Sequence, residues 1–320
     1  MIKELKDISK EFLNEMVDMV VLLTQVNVKI ARSGKKYVDL LLQDTSRTME
    51  AKFWDYEARQ DLFDAFDNYE IVRIKGTIGQ YREQVQLTIK EIDRVEGNEF
   101  TVKDFLQTSP MDFNSMIKAL RIYRDKIKSP HLQKLVDEMV FSEEFYDDFT
   151  SYPAASKVHH NFYHGLLHHS LEVLNFANVV ASTKKLSPLQ IERLYVMAIL
   201  HDWGKIFEYR ELPEVGFTDE GIMLGHIFMG AHFTLKKIDQ IEDFPQEDKL
   251  VILNGILGHH GSLEFGSPVL PKTVEAQILH QADKMSGDVE SILSHISDER
   301  EERGNFTSKL WNMGREYYKK

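Results

Sequence analysis

The chain has 320 residues, 42% of them hydrophobic and 28% charged, the balance of a folded protein with room for two domains. No apolar run approaches the ~20 residues of a membrane span, and the absence of cysteine excludes disulfides, thiolate metal sites and cysteine nucleophiles. The charged start Met1 to Asp7 is not a signal peptide, so a reducing cytoplasm is expected; a formal net charge of -12 weighs against a polyanionic partner unless local patches or bound cations override it.

Residues 1–17 read as a short amphipathic helix or arm. Residues 20–30 open on the apolar run Val20-Val21-Leu22-Leu23 and pass into alternation rich in β-branched residues, which predicts a strand. A cationic turn from Arg32 to Lys36 precedes a second strand over 37–43, and a turn at Asp44-Thr45-Ser46 precedes a third over 48–54. Residues 56–67 put Leu62, Phe63 and Phe66 on one helical face, and residues 71–78 and 85–89 read as fourth and fifth strands. Three strands, a helix and two more strands predict a five-stranded OB-fold barrel over residues 18–95.

The order resembles the nucleic-acid-binding OB domains of the tRNA-anticodon-binding type. Such domains hold single strands on aromatic platforms flanked by cations. The candidates are Tyr37, Phe53, Trp54 and Tyr81, with Arg73, Lys75, Arg82, Arg32, Lys35, Lys36 and Lys52. Arg73 and Lys75 alternate with Val72 and Ile74, which places both cations outward on one strand. The competing reading is a solvated strand face over core aromatics, and of the neighbours Phe53 and Trp54 at least one belongs in a core.

Residues 96–112 read as linker. From there the period is helical: Met116, Leu120, Tyr123 and Ile127 form one stripe, Leu132, Leu135, Val136 and Met139 another. Residues 113–305 are therefore expected to be all-α. The tail 306–320, with Trp311, Met313, Tyr317 and Tyr318 among charges, could pack on a second copy in a homo-oligomer or on the chain's own barrel.

Chemistry concentrates in this helical part. Of 13 histidines, all but His131 follow residue 158, nearly all at expected helix ends or connectors. They include His159-His160, His164, His168-His169, His226 and His259-His260. The apolar run Ala198-Ile199-Leu200 ends in His201-Asp202-Trp203-Gly204-Lys205. Neighbours on a helix point about 100° apart, so an adjacent His and Asp share a target only where the backbone leaves the helix. A nitrogen and a carboxylate aimed at one point are ligands for a divalent metal. A buried histidine beside a helix cap is the alternative for this pair alone.

His169, His201-Asp202 and Asp283 resemble the H…HD…D signature of the HD phosphohydrolase superfamily. The flanks Gly165-Leu166-Leu167-His168-His169-Ser170, Asp202-Trp203-Gly204-Lys205 and Ala282-Asp283-Lys284 agree with it. An OB domain ahead of such a domain is similar to the YhaM-type 3′–5′ exoribonuclease family, and the resemblance covers nearly the whole chain. It implies that His169, His201, Asp202 and Asp283 hold one ion. Asp202 would bridge to a second, held by His226 and by His259, His260 or both. The donors suit Mn²⁺ first, with Fe, Co, Ni or Zn as alternatives. Hydroxide between the two metals would attack phosphorus. Lys205 would hold a phosphate oxygen, and His159, His160 or His164 would contact the phosphate or protonate the leaving O3′, unless they are structural; His232 and His280 read as structural.

The implied activity is release of nucleoside 5′-monophosphates from the 3′ end of single-stranded RNA, with single-stranded DNA as an open alternative and no membrane partner. Against it stands a phosphohydrolase for a cyclic dinucleotide or nucleotide with a regulatory OB domain. Gly261 follows the histidine pair, but no Gly-Tyr-Pro comes after it. An inert helical domain on a binding protein is the third reading, disfavoured by the complete ligand set.

Overall fold

The computed structural model describes all residues but 1, 67–68, 82–83, 156–160, 215 and 300–303, and leaves out the side chain of Asp298. Two compact units divide the chain, Met1–Thr108 and Ser109–Lys320.

The first unit is a closed five-stranded barrel of strands β1 (Met16–Ile30), β2 (Lys36–Gln43), β3 (Thr48–Phe53), β4 (Glu70–Tyr81) and β5 (Gln84–Arg94). Its circular order is β1-β2-β3-β5-β4, with β3 and β5 parallel and the other pairs antiparallel. Alternation fills the interior: Val38, Leu40 and Leu42 of β2 and Val72 and Ile74 of β4 are all buried. The amino-terminal segment 1–17, read as a helix or an arm, takes the form of an arm with two 3₁₀ turns, Leu5–Asp7 and Lys10–Phe12. They bury Leu5 and Ile8, the Leu5 amide donating to the Asp44 carboxylate at 2.6 Å. The helix expected over 56–67 is broken into a 3₁₀ turn, Tyr56–Arg59, and a short α1, Gln60–Asp64.

The second unit is helical: α2 (Phe113–Lys126), α3 (Pro130–Val136), α4 (Tyr146–Ser151), α5 (Gly165–Lys184), α6 (Pro188–Leu200), α7 (Lys205–Glu208), α8 (Asp219–Ile238), α9 (Gln246–Gly258) and α10 (Val274–Asp298). Ser187 and Gln190 form a capping box at the start of α6, with Pro188 in its first turn. Residues Leu194 to Leu200 are all buried, so α6 is the central helix of this unit's core. The carboxy-terminal tail folds into bridges Phe306 to Tyr318 and Leu310 to Arg315. It is tied to the end of α10, where the Ser308 amide donates to the Glu299 carboxylate at 2.6 Å. Among the described residues no helix is long and apolar enough to cross a membrane.

Candidate metal centre and nucleic-acid interface

Because α6 is apolar on every side, its C-terminus carries His201, Asp202 and Trp203 into the interior, where all three are buried. Trp203 fixes the exit: its indole N–H donates to the Met139 carbonyl at 2.7 Å, and its ring packs among Phe145, Phe207 and Phe233. His201 keeps helical angles (φ -56, ψ -41), so the backbone does not leave the helical path as expected. The bonds tighten instead to three-residue steps, Trp203 to Leu200 and Lys205 to Asp202, and this sharper winding brings the adjacent side chains together. Gly204 lets α8 pass against this turn. A Cβ there would lie 2.1 Å from the His226 carbonyl oxygen and 2.6 Å from the Gly230 nitrogen.

Two clusters meet at Asp202. In the first, His169 from α5 places Nε2 3.3 Å from Asp202 Oδ2 and 3.1 Å from Asp283 Oδ1 of α10. His201 Nε2 lies 3.2 Å from His169 Nε2 and 3.4 Å from Asp202 Oδ2. In the second, His226, His259 and His260 each offer a nitrogen, all within 4.8 Å of one another. The other Asp202 oxygen, Oδ1, stands 3.5 Å from both His226 Nε2 and His259 Nε2. One carboxylate thus turns an oxygen to each cluster.

The ring tautomers follow from what the far nitrogens touch. Nδ1 of His201, His259 and His260 meets the carbonyls of Ala198, Ile256 and Phe265 at 3.0, 2.6 and 2.8 Å. Nδ1 of His226 meets the Glu208 carboxylate at 2.9 Å. A carbonyl or carboxylate only accepts, so each Nδ1 carries a proton, and in the neutral ring Nε2 keeps a lone pair. His169 Nδ1 lies 3.0 Å from Ser286 Oγ, whose hydroxyl donates to Glu172 at 2.7 Å and therefore accepts from the ring.

Asp202 Oδ1, His226 Nε2 and His259 Nε2 are buried and make no hydrogen bond. All three bear lone pairs, so none can donate to another, and leaving each unpaired costs about 1–3 kcal/mol. A cation satisfies all three at once, and the nitrogen and oxygen donor set fits a divalent transition metal.

Charge is divided unevenly. Burial pushes the His201 imidazole down, but Asp202 and Asp283 beside it hold it up to about 10. His169 is raised in the same way against burial. Burial pushes Asp202 up, and Lys205 and His201 more than reverse this, holding it well below the usual carboxylate range. Burial lowers His259, with Asp202 opposing, and burial together with His259 lowers His260. Without metal the first cluster therefore favours bound protons, while His259 and His260 in the second favour the neutral ring.

Lys205 lies in the centre, its ammonium 2.6 Å from Asp202 Oδ2 and donating to the Ala154 carbonyl at 2.7 Å. His164 joins neither cluster. It caps α5 with left-handed backbone (φ 69), approaches the Thr150 carbonyl through Nδ1 at 2.5 Å and lies on Phe113 with ring centroids 4.5 Å apart. His159 and His160 fall outside the described residues. His232 is exposed, and His280 Nδ1 meets the His259 carbonyl at 2.7 Å. Sequence reading missed Glu208, Ser286 and Glu172. Glu208 alone left a trace, since it follows Asp202 on the same short turn; Ser286 and Glu172 meet 114 positions apart.

On the barrel, Phe53 is corrected. Its side chain is 2% exposed and packs edge-on against Phe63 in the core, so it offers no face to a base. Trp54, next in the chain, points the other way and is 47% exposed. It stacks on Tyr37 with centroids 4.8 Å apart, and the Lys52 ammonium lies 4.9 Å over the Tyr37 ring. Tyr81 is exposed. Arg73 and Lys75 are outward as expected, but each is ion-paired, to Asp18 at 2.7 Å and to Glu91 at 2.7 Å. Arg82 lies outside the described residues.

Residues 166–288 match the model of the HD domain, and residues 19–95 that of the OB-fold nucleic acid binding domain. Over 317 residues, 98% of each chain, the sequence is 34% identical to the 3′–5′ exoribonuclease YhaM of Bacillus subtilis. It is 33% identical to the proteins of that name in Bacillus licheniformis and Bacillus velezensis, over the same share.

Proposed function

The chain belongs to the YhaM family of 3′–5′ exoribonucleases, an OB-fold barrel followed by an HD domain, and from that premise we propose that it shortens single-stranded RNA from the 3′ end, using two divalent ions. The observation that carries the reading is the division of Asp202. Oδ2 faces His169 and His201, while the unpartnered Oδ1 faces the unpartnered nitrogens of His226 and His259. His169, His201, Asp202 and Asp283 would hold one ion, and Asp202, His226, His259 and His260 the other. Nitrogen and oxygen donors without thiolate suit Mn²⁺, and Fe, Co, Ni or Zn after it. Two such ions supply a nucleophile at neutral pH and relief of negative charge on the phosphate.

The chain's own groups do the rest. Lys205 has three N–H donors and, among the described residues, spends two on Asp202 and Ala154, so that a third can meet a phosphate oxygen. Its charge holds Asp202 ionised. His164, five residues before His169, is the described candidate to protonate the leaving O3′. The Tyr37–Trp54 stack offers bases a platform, with Lys52 beside it ion-paired to Asp39 at 2.6 Å. Single-stranded DNA would be taken by the same groups.

Incubation of the purified chain with Mn²⁺ and a 5′-labelled single-stranded RNA is the test. A ladder shortening from the 3′ end with mononucleotide release is expected; intact RNA with turnover of a cyclic dinucleotide would sink the proposal. Asp202→Ala should lower cleavage on the order of 10³-fold or more while strand binding persists.

A further inference from the structure

Four of the seven candidate metal-facing side chains are oriented by their own helices. His201, His259 and His260 each give Nδ1–H to a carbonyl three to five residues away, and those carbonyls come with the fold of α6, α9 and the turn after it. Asp202 is set by the turn that ends α6. His169 is placed through the Ser286 hydroxyl.

His226 is different. Gly225 breaks α8 just before it, at φ 72 and ψ 152, a conformation open essentially to glycine alone. His226 thus opens a fresh helical segment, where early N–H groups need an acceptor from outside. Glu208 Oε1 supplies it, accepting the His226 backbone N–H at 2.9 Å and the Nδ1–H at 2.9 Å. Glu208 is itself buried and pinned, for its carbonyl accepts the Thr218 amide at 2.9 Å. A Cβ on Gly221 would lie 2.3 Å from that same carbonyl, so α8 sits directly on the Glu208 backbone.

We infer that Glu208 is a positioning residue that creates the second cation site, because one of its oxygens fixes both the backbone and the ring of His226. This rests on the two-ion reading above. A carboxylate on the far nitrogen of a ligating imidazole sets its tautomer and raises its donor strength, and loss of such a partner weakens metal binding about 10–100-fold. The effect falls on one site, since Glu208 touches neither His169, His201 nor Asp283 among its hydrogen-bonded partners.

Titration with Mn²⁺ of the full-length chain stripped by chelator tests this, with bound metal counted after desalting and coupling between the ions read by electron paramagnetic resonance. The unaltered chain should take up two ions with a coupled signal. Glu208→Ala should keep the first ion at unchanged affinity, bind the second about 10–100-fold more weakly, and show isolated Mn²⁺. Glu208→Gln, which keeps an acceptor and removes the charge, should lie between, and it decides the matter should Glu208→Ala fail to fold. Two ions at unchanged affinity in the folded variant, or equal weakening of both, overturns the inference alone. A single ion in the unaltered chain overturns the two-ion reading and this inference with it.

Discussion

Asp202 is the residue on which the centre turns. It is buried, it lies between two clusters of nitrogen donors, its charge is balanced by Lys205, and with Asp283 it raises the proton affinity of His169 and His201. Protons held there stand where a cation would, and this has a consequence for stability. His201 has a folded pKa of about 10, above its unfolded value near 6.5. Between those values the folded state binds more protons than the unfolded one, so stability falls as pH rises. The metal-free chain should hold the full His201 contribution below about pH 6.5 and lose it toward pH 10. The loaded chain has exchanged the proton for metal and should not. Melting temperatures with Mn²⁺ and with chelator should therefore diverge from pH 6.5 to pH 9; a constant difference would contradict this protonation of the centre. The seven residues that come together in the two donor clusters were legible from motif and flanks. Ser286 and Glu172 were not, because Ser286 meets Glu172 and His169 only across 114 positions or more of chain, and Glu208 left no more than its place six residues after Asp202.

Among the elements, the short turn α7 and the kinked α8 do the positioning. Gly204→Ala would drive a methyl group into the α8 backbone. The expected result is a loss of about 1–3 kcal/mol, with metal lost preferentially from the His226 side. Denaturant unfolding and metal counts on the variant check this, and a variant unchanged in both would mean the close approach is unimportant. In the barrel, parity along β3 was readable, since Phe53 and Trp54 must face opposite ways. Which of them faces inward was not, because both are large aromatics and only the closure of the barrel on Phe63 and Tyr56 chooses. Trp54→Ala should weaken binding of single-stranded RNA by about 1–3 kcal/mol, measured by fluorescence anisotropy, with little change in melting. Phe53→Ala should instead destabilise the barrel by about 3–5 kcal/mol. The reverse outcome would exchange their roles. For the amino-terminal segment the sequence left helix and arm open. The Asp44 carboxylate, which captures the Leu5 amide from 39 residues away, holds it in a tight turn.

At the scale of the whole molecule, each unit closes its own hydrophobic core, one inside the barrel and one around α6. A chain beginning at Ser109 should therefore fold and keep its metal centre. It should lose more activity on long RNA than on short, since stacking along a strand is what the barrel adds. Equal loss on both lengths would mean that the barrel does not gather the strand. By itself the sequence determined the class of each half, since strand alternation and helical period are local. It also named the candidate donors, because a chain without cysteine leaves histidine and carboxylate and the resemblance of the motifs picks them out in order. Only the tertiary structure decided that Asp202 splits its two oxygens between two clusters, that Gly204 serves helix contact, and that Glu208 orients His226. Each of these depends on distances between separate helices, α7 against α8 among them. Those distances are set by the packing of apolar side chains around α6, which no local pattern encodes.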